Sequence, residues 1–307
     1  MTMTKTLTSR TVRFALLGTL ALPAFAATAA QAGTPADDAR ADVVATYGFL
    51  PSFLKVIPDN ALPGIWAQMK HFQDGNTALP NKVKGLIGLA VSAQAASRAS
   101  VYAFSRCAQA SGASEAETKE AATMAGLTRQ WSTVFNGILL DEGKYRADVQ
   151  KLLEFVGKME AGKVPPPKPI AITDAKSVME DAKQLLGSVP DFVYRVPAEA
   201  LPGAWLEFKS VEMNPETAIP SKYKSLIGLA VASQIPCRYC VISDTEFAKA
   251  DGATEREINE AITMAGFTRN LISLNDGLQM DEKAFRKDID RLVQGAGAKG
   301  PVARAGK

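Results

Sequence analysis

Three segments of this 307-residue chain occur twice. "ALPGIWAQMK" at 61–70 returns as "ALPGAWLEFK" at 200–209, "KGLIGLAVSAQ" at 84–94 as "KSLIGLAVASQ" at 224–234, and "EAATMAGLTRQ" at 120–130 as "EAITMAGFTRN" at 260–270. The separation is 139 residues for the first pair and 140 for the other two, so the second copy carries one inserted residue. Few features constrain a fold as strongly. Each copy must form one structural unit with the same apolar faces, and two such units tend to bury those faces against each other. The copies are placed at 33–160 and 170–307. The join is "AGKVPPPKP", 161–169, whose consecutive prolines favour an extended polyproline II spacer.

Within each copy the periodicity is helical. "VKGLIGLAVSAQ" and "YKSLIGLAVASQ" are apolar on nearly every face, as a fully buried helix would be. Ser114-x-x-Glu117 and Thr254-x-x-Glu257 read as capping boxes, each following a glycine, Gly112 or Gly252, that ends the preceding helix. No stretch alternates with a period of two. The expected fold is all-α, two tandem helical modules in a pseudo-symmetric bundle. Trp66 and Trp205, each following an "LPG" break, are expected as packing anchors.

The charge balance is informative only once the first 32 residues are set aside. Lys5, Arg10 and Arg13 lie there without any acidic residue, and the rest of the chain balances at 32 basic against 32 acidic side chains. That neutrality gives no electrostatic case for a nucleic-acid partner or an anionic membrane. The opening segment itself has a basic start, the apolar stretch "FALLGTLALPAFAATAA" and a small-x-small site at Ala30-Gln31-Ala32. It reads as a signal peptide, 1–32, cleaved before Gly33. A periplasmic or secreted protein follows, whose cysteines meet an oxidising environment.

Two of the three cysteines, Cys237 and Cys240, stand in "IPCRYC". A structural staple across so short a loop would remove little unfolded-state entropy, about 2 kcal/mol. Zinc would need Cys107 and His71 as further ligands, both in the other copy. A thioredoxin-type site expects a strand before the motif, and this context is helical. Pro236 suits a first helical turn, which puts Cys237 where unsatisfied N–H groups stabilise a thiolate and Cys240 on the same face one turn on. The residues favour a helical redox pair that needs neither metal nor cofactor.

"LIGLAVASQIPCRYC…FAKADGATEREINEA" resembles the alkylhydroperoxidase (AhpD-like) branch of the carboxymuconolactone decarboxylase family. The resemblance implies an all-helical fold, a Cys-x-x-C pair that reduces hydroperoxides or exchanges disulfides at the expense of a thiol reductant, and assembly into homotrimers or hexamers. Cys237 and Cys240 match the family's pair, and Tyr239 fits its Cys-x-Tyr-Cys variant. Where the branch carries a histidine and a glutamate, this chain has Asp244 and Ser225. Asp244 is thereby a candidate replacement base, with a solvated or helix-pairing carboxylate as the alternative. The first copy has Ser97, Ser100, Gly85 and Phe104 at the matching positions, so it is expected to be inert and to shape the second. Cys107, opposite Phe247, is expected as a buried core thiol, and Arg129 and Arg269, present in both copies, as partners in structural ion pairs.

Three function classes are therefore in view. The leading one is an exported thiol oxidoreductase or peroxidase built on Cys237, Cys240 and Asp244. The others are a decarboxylase-like enzyme and a non-catalytic assembly protein in which the cystine is a staple. Edman sequencing of the exported protein is expected to begin at Gly33; a chain that retains Met1 would refute the leader assignment.

Overall fold

The structure is a computed structural model that describes residues 33–298, so the expected signal peptide lies outside the described residues. The first half comprises α1 (Pro35–Tyr47), α2 (Ser52–Lys55), α3 (Leu62–Met69), α4 (Asn81–Gln94), α5 (Arg98–Ala110), α6 (Glu115–Gly137) and α7 (Glu142–Glu160). Residues 161–174 form no helix. The second half has α8 (Ala175–Leu186), α9 (Leu201–Val211), α10 (Ser221–Gln234), α11 (Arg238–Ala250), α12 (Glu255–Gly277) and α13 (Glu282–Ala298). A π-helical turn, Lys70–Asp74, extends α3, and a 3-10 turn, Asp191–Tyr194, precedes α9. Among the described residues there is no strand, and the all-α expectation holds.

The repeated sequences fold into helices of matching length. α4 and α10 have 14 residues each, α5 and α11 have 13, and α6 and α12 have 23. Both expected capping boxes form: Ser114 and Thr254 accept from the backbone N–H of Glu117 and Glu257, whose carboxylates reach back to the cap N–H groups. Such caps are worth about 1 kcal/mol each and fix where α6 and α12 begin.

At the centre lie α4 and α10. Every residue from Val83 to Ser92 is buried, as is every residue from Lys224 to Ala232. α4 packs on α5, α6, α10 and α12, while α10 packs on α11, α12, α4 and α6. Close approach depends on small residues, because a Cβ at Gly85 would stand 2.7 Å from the Cα of Ala108 on α5. At their C-terminal ends the two central helices meet through a hydrogen bond from Gln234 to Gln94.

Each central helix also buries a lysine. The Lys224 ammonium donates to Val211 O at 2.7 Å, Asn214 O at 2.5 Å and Thr217 Oγ1 at 3.1 Å, and Lys84 makes the equivalent bonds to Gly75 O and Thr77 Oγ1. A buried ammonium is tolerable only when its protons are so occupied. Each lysine therefore straps the preceding loop across its helix. The loops are held from the far side too. Glu260 on α12 accepts from Thr77 Oγ1 and from the N–H groups of Ala78 and Leu79, and Glu120 on α6 accepts from Ala218 and Ile219. A carboxylate of each half thus clamps a loop of the other.

Trp66 and Trp205 are buried anchors, as expected, and their Nε1 groups donate at 2.8 Å to Asp42 and Asp181, which also pair with Lys70 and Lys209. Two expectations need correction. Among the described residues Arg129 and Arg269 have no ion-pair partner; Arg129 lies on the exposed side of α6 and Arg269 is only half-buried on α12. Cys107 is half-buried and not a core thiol, because Ala103, Phe104 and Ala108 occupy the buried face of α5.

Replacing Glu260 by Ala strips two loop N–H groups of their acceptor. The urea midpoint is expected to fall by an amount equivalent to about 1–3 kcal/mol, with an unchanged m-value.

Candidate active site

Cys237 caps the N-terminus of α11, its Sγ accepting from the Cys240 N–H at 3.2 Å. The helix starts one residue later than Pro236 suggests: Arg238 is its first residue and Pro236 precedes the cap, in the bend leaving α10. Cys237 and Cys240 form a disulfide with their Cα atoms 5.4 Å apart. The two sulfurs are not equivalent. Cys237 is fully buried, whereas Cys240 lines a cavity. In the first half the matching Ser97 and Ser100 keep the arrangement through a hydroxyl–hydroxyl hydrogen bond of 3.1 Å, without the chemistry.

The cavity has a volume of about 750 Å³ including its open mouth. It lies between the halves. α6 and α7 supply Trp131, Phe135 and Tyr145, and the second half supplies Phe192, Phe208, Glu212, Cys240, Ser243, Asp244 and Phe247. The rings brace one another: Trp131 and Phe135 both meet Phe192 edge-on, at 5.3 and 5.1 Å between centroids. Tyr239, between the cysteines, ties the motif to the other half by donating to Leu140 O at 2.6 Å and packing on Tyr145. The first copy therefore forms one wall and holds the start of α11.

Asp244 is only 8% exposed, so the solvated alternative is excluded. Its Oδ2 has no hydrogen-bond partner and rests against Gly228 of α10, where a Cβ would come within 2.8 Å. Burial, with the nearby Glu212 adding to it, holds the Asp244 carboxyl well above the usual carboxylate range. Burial likewise pushes Glu212 up to about 7, against the attraction of the Lys224 ammonium and aided by Asp251. The Tyr145 hydroxyl is raised by burial, and the two carboxyls reinforce this while Ser243 opposes it. The site thus sets beside a sulfur two carboxyls that hold their protons more tightly than free ones.

Sequence reasoning identified Cys237, Cys240 and Asp244, and the structure places Cys237 at the cap of α11 and Cys240 and Asp244 along it, lining one cavity. It missed Glu212, which lies in the stretch where the copies differ in length, and Tyr145, which belongs to the other copy. Ser225, at the family glutamate's position, is buried and donates to Ser221 O, so no acid acts from there. His71 is exposed in the first half, edge-on to Phe72 and away from the cavity. Among the described residues, no group of three His, Cys, Asp or Glu side chains is placed to hold a metal.

The model of the carboxymuconolactone decarboxylase family matches residues 199–282. The match supports that family. It runs from α9 to the start of α13 and takes in both cysteines, Asp244 and Glu212. No curated protein and no solved structure matches the chain.

A carboxyl raised on folding contributes stability that is full below its unfolded value and is lost as pH rises through its folded value. For Glu212 the window runs from 4.5 to about 7. Urea midpoints measured across it are expected to decline more steeply for the parent protein than for Glu212→Gln; parallel curves would remove Glu212 as a buried titrating group.

Proposed function

We propose that this protein is an AhpD-like thiol oxidoreductase that reduces hydroperoxides or disulfides through the Cys237–Cys240 pair. The observation that carries the reading is the asymmetry of the cystine: one sulfur faces a cavity lined by carboxyls, and the other is sealed at a helix N-terminus.

In the reductive half, a thiolate of an external dithiol attacks Cys240 Sγ, the accessible atom. The S–S bond breaks and Cys237 leaves as a thiolate favoured by the Cys240 N–H and the helix N-terminus. The second external thiol resolves the mixed disulfide and departs as the oxidised reductant. In the oxidative half, ionised Asp244 takes the Cys240 proton and the thiolate attacks a peroxide oxygen. The O–O bond breaks, Asp244 returns its proton to the departing alkoxide, and Cys240 is left as a sulfenic acid. The Cys237 thiolate then attacks Cys240 Sγ, the S–O bond breaks, and the hydroxide takes up from solvent the proton that the external thiol released there, leaving as water. Dithiol and hydroperoxide give disulfide, alcohol and water. Because Asp244 must ionise from a raised position, turnover rises with pH.

Export to the periplasm or exterior, the AhpD-like tandem repeat and a homotrimeric or hexameric assembly belong to the same proposal, resting on the leader and the resemblance. The buried pair of carboxyls favours a second reading, decarboxylase-like proton transfer with the cystine as a staple.

Peroxide consumption with dithiothreitol as reductant separates them. Replacing either Cys237 or Cys240 by Ser is expected to lower the rate at least about 100-fold, a loss of about 2.7 kcal/mol of transition-state stabilisation, while Cys107→Ser leaves it nearly unchanged. Asp244→His is expected to quicken turnover near neutral pH. An aromatic ring fits this place, since Phe104 packs on Gly88 at the matching position. Full activity in Cys240→Ser would discard the thiol mechanism.

A further inference from the structure

The cavity beside Cys240 is unbalanced in charge. Three acids line it, Asp148 from α7, Glu212 from the C-cap of α9 and Asp244 from α11, and no lysine, arginine or histidine does. Asp148 has a counter-charge of its own, Lys151 at 3.6 Å. Glu212 has none in contact, since among the described residues its carboxyl has neither a hydrogen-bond nor an ion-pair partner. The Lys224 ammonium attracts it only from a distance, because that ammonium is bonded to Val211 O, Asn214 O and Thr217 Oγ1. Nor is Glu212 sealed in. It is half-buried, it lines the cavity, and both of its carboxyl oxygens keep accessible surface, unlike Asp244 Oδ2, which is packed against α10. A carboxyl that opens on a largely apolar cavity and meets no donor leaves its charge for a ligand to satisfy.

The chemistry of that ligand follows. Side chains such as Leu127, Phe135, Val149 and Phe192 make most of the wall apolar, so the body of the ligand is apolar. An ionised carboxyl only accepts, so the polar end must donate and must be positive. A primary ammonium does both. Among the described residues no three acids are placed to hold a metal ion, so the cation is organic. An anion would meet three acids and no base lining the cavity. A volume of about 750 Å³ with its mouth suits one ring and a short arm.

We propose that this cavity binds an organic ammonium ion with a small apolar body, its N–H groups donating to the Glu212 carboxylate. As the class of molecule admitted beside Cys240 the inference rests on the thiol reading, but binding itself needs no turnover. It is therefore tested on the oxidised, disulfide form of the full protein.

The probes are benzylamine, its uncharged counterpart benzyl alcohol, and benzoate, titrated calorimetrically at pH 8, above the value of about 7 to which Glu212 is raised. Benzylamine is expected to bind one to one. Benzyl alcohol is expected to bind about tenfold more weakly, the scale of a lost hydrogen bond to a charged group, and benzoate more weakly still. Glu212→Gln keeps the shape and removes the charge. It should weaken benzylamine about tenfold and leave benzyl alcohol unchanged, which also shows that the cavity is intact. Failure of benzylamine to saturate the protein would overturn the site. Benzyl alcohol or benzoate binding as tightly as benzylamine would overturn the ligand class, and an indifferent Glu212→Gln would overturn the assigned residue. Benzylamine binding without any peroxide turnover would sink the thiol reading alone, and turnover without binding would sink this inference alone.

Discussion

A helix that is apolar on all sides has no stable place in water, and this chain makes two of them. α4 and α10 must be enclosed on every face, and neither half has helices enough to do it by itself. Each is covered by its own two following helices and then by the other copy's central helix and long helix. The rest of the architecture is arranged around that enclosure. The lysines at 84 and 224 interrupt the apolar run only because carbonyl and hydroxyl oxygens of the preceding segment, at Gly75 and Thr77 for one and Val211, Asn214 and Thr217 for the other, wait for each ammonium.

Enclosure also explains how two copies of one sequence come to divide the labour. Once α6 of the first copy lies on α10 of the second, its aromatic side chains face the start of α11. The first copy has Ser97 and Ser100 at the matching positions, and what it contributes at the site is a wall and a tether. Trp131, Phe135 and Tyr145 form the wall, and the Leu140 carbonyl that receives Tyr239 is the tether. Phe104 and Asp244 make the same division visible at one position: both lie over a glycine of the central helix, one filling the space with a ring and the other placing an acid there.

How much of this was legible depended on range. The helix starts at Ser114 and Thr254, the buried central helices and the cysteine pair are written in contiguous or evenly spaced residues, and each appears where the sequence places it. Pro236 misled by one position because it lies in the turn that leaves α10, and the cap that starts α11 is Cys237. Arg129 and Arg269 recur without pairing, so recurrence between copies alone did not indicate an interaction. Glu212, Tyr145 and Trp131 carried no local signal. They become neighbours only when the halves are docked, and nothing in a linear chain says which loop residue will face which helix. Had the length difference near Asn214 been read as a place where the copies diverge in use, Glu212 would have been the acid to examine.

The reciprocal grip of Glu120 and Glu260 bears on the chain connection at 161–174. Each half grasps a backbone segment of the other, so the grip is non-covalent, and the connection adds proximity, as a high effective concentration, to its own contacts through Lys168 and Ile172. A nick there would turn folding of this pair into a second-order process, its extent set by dilution.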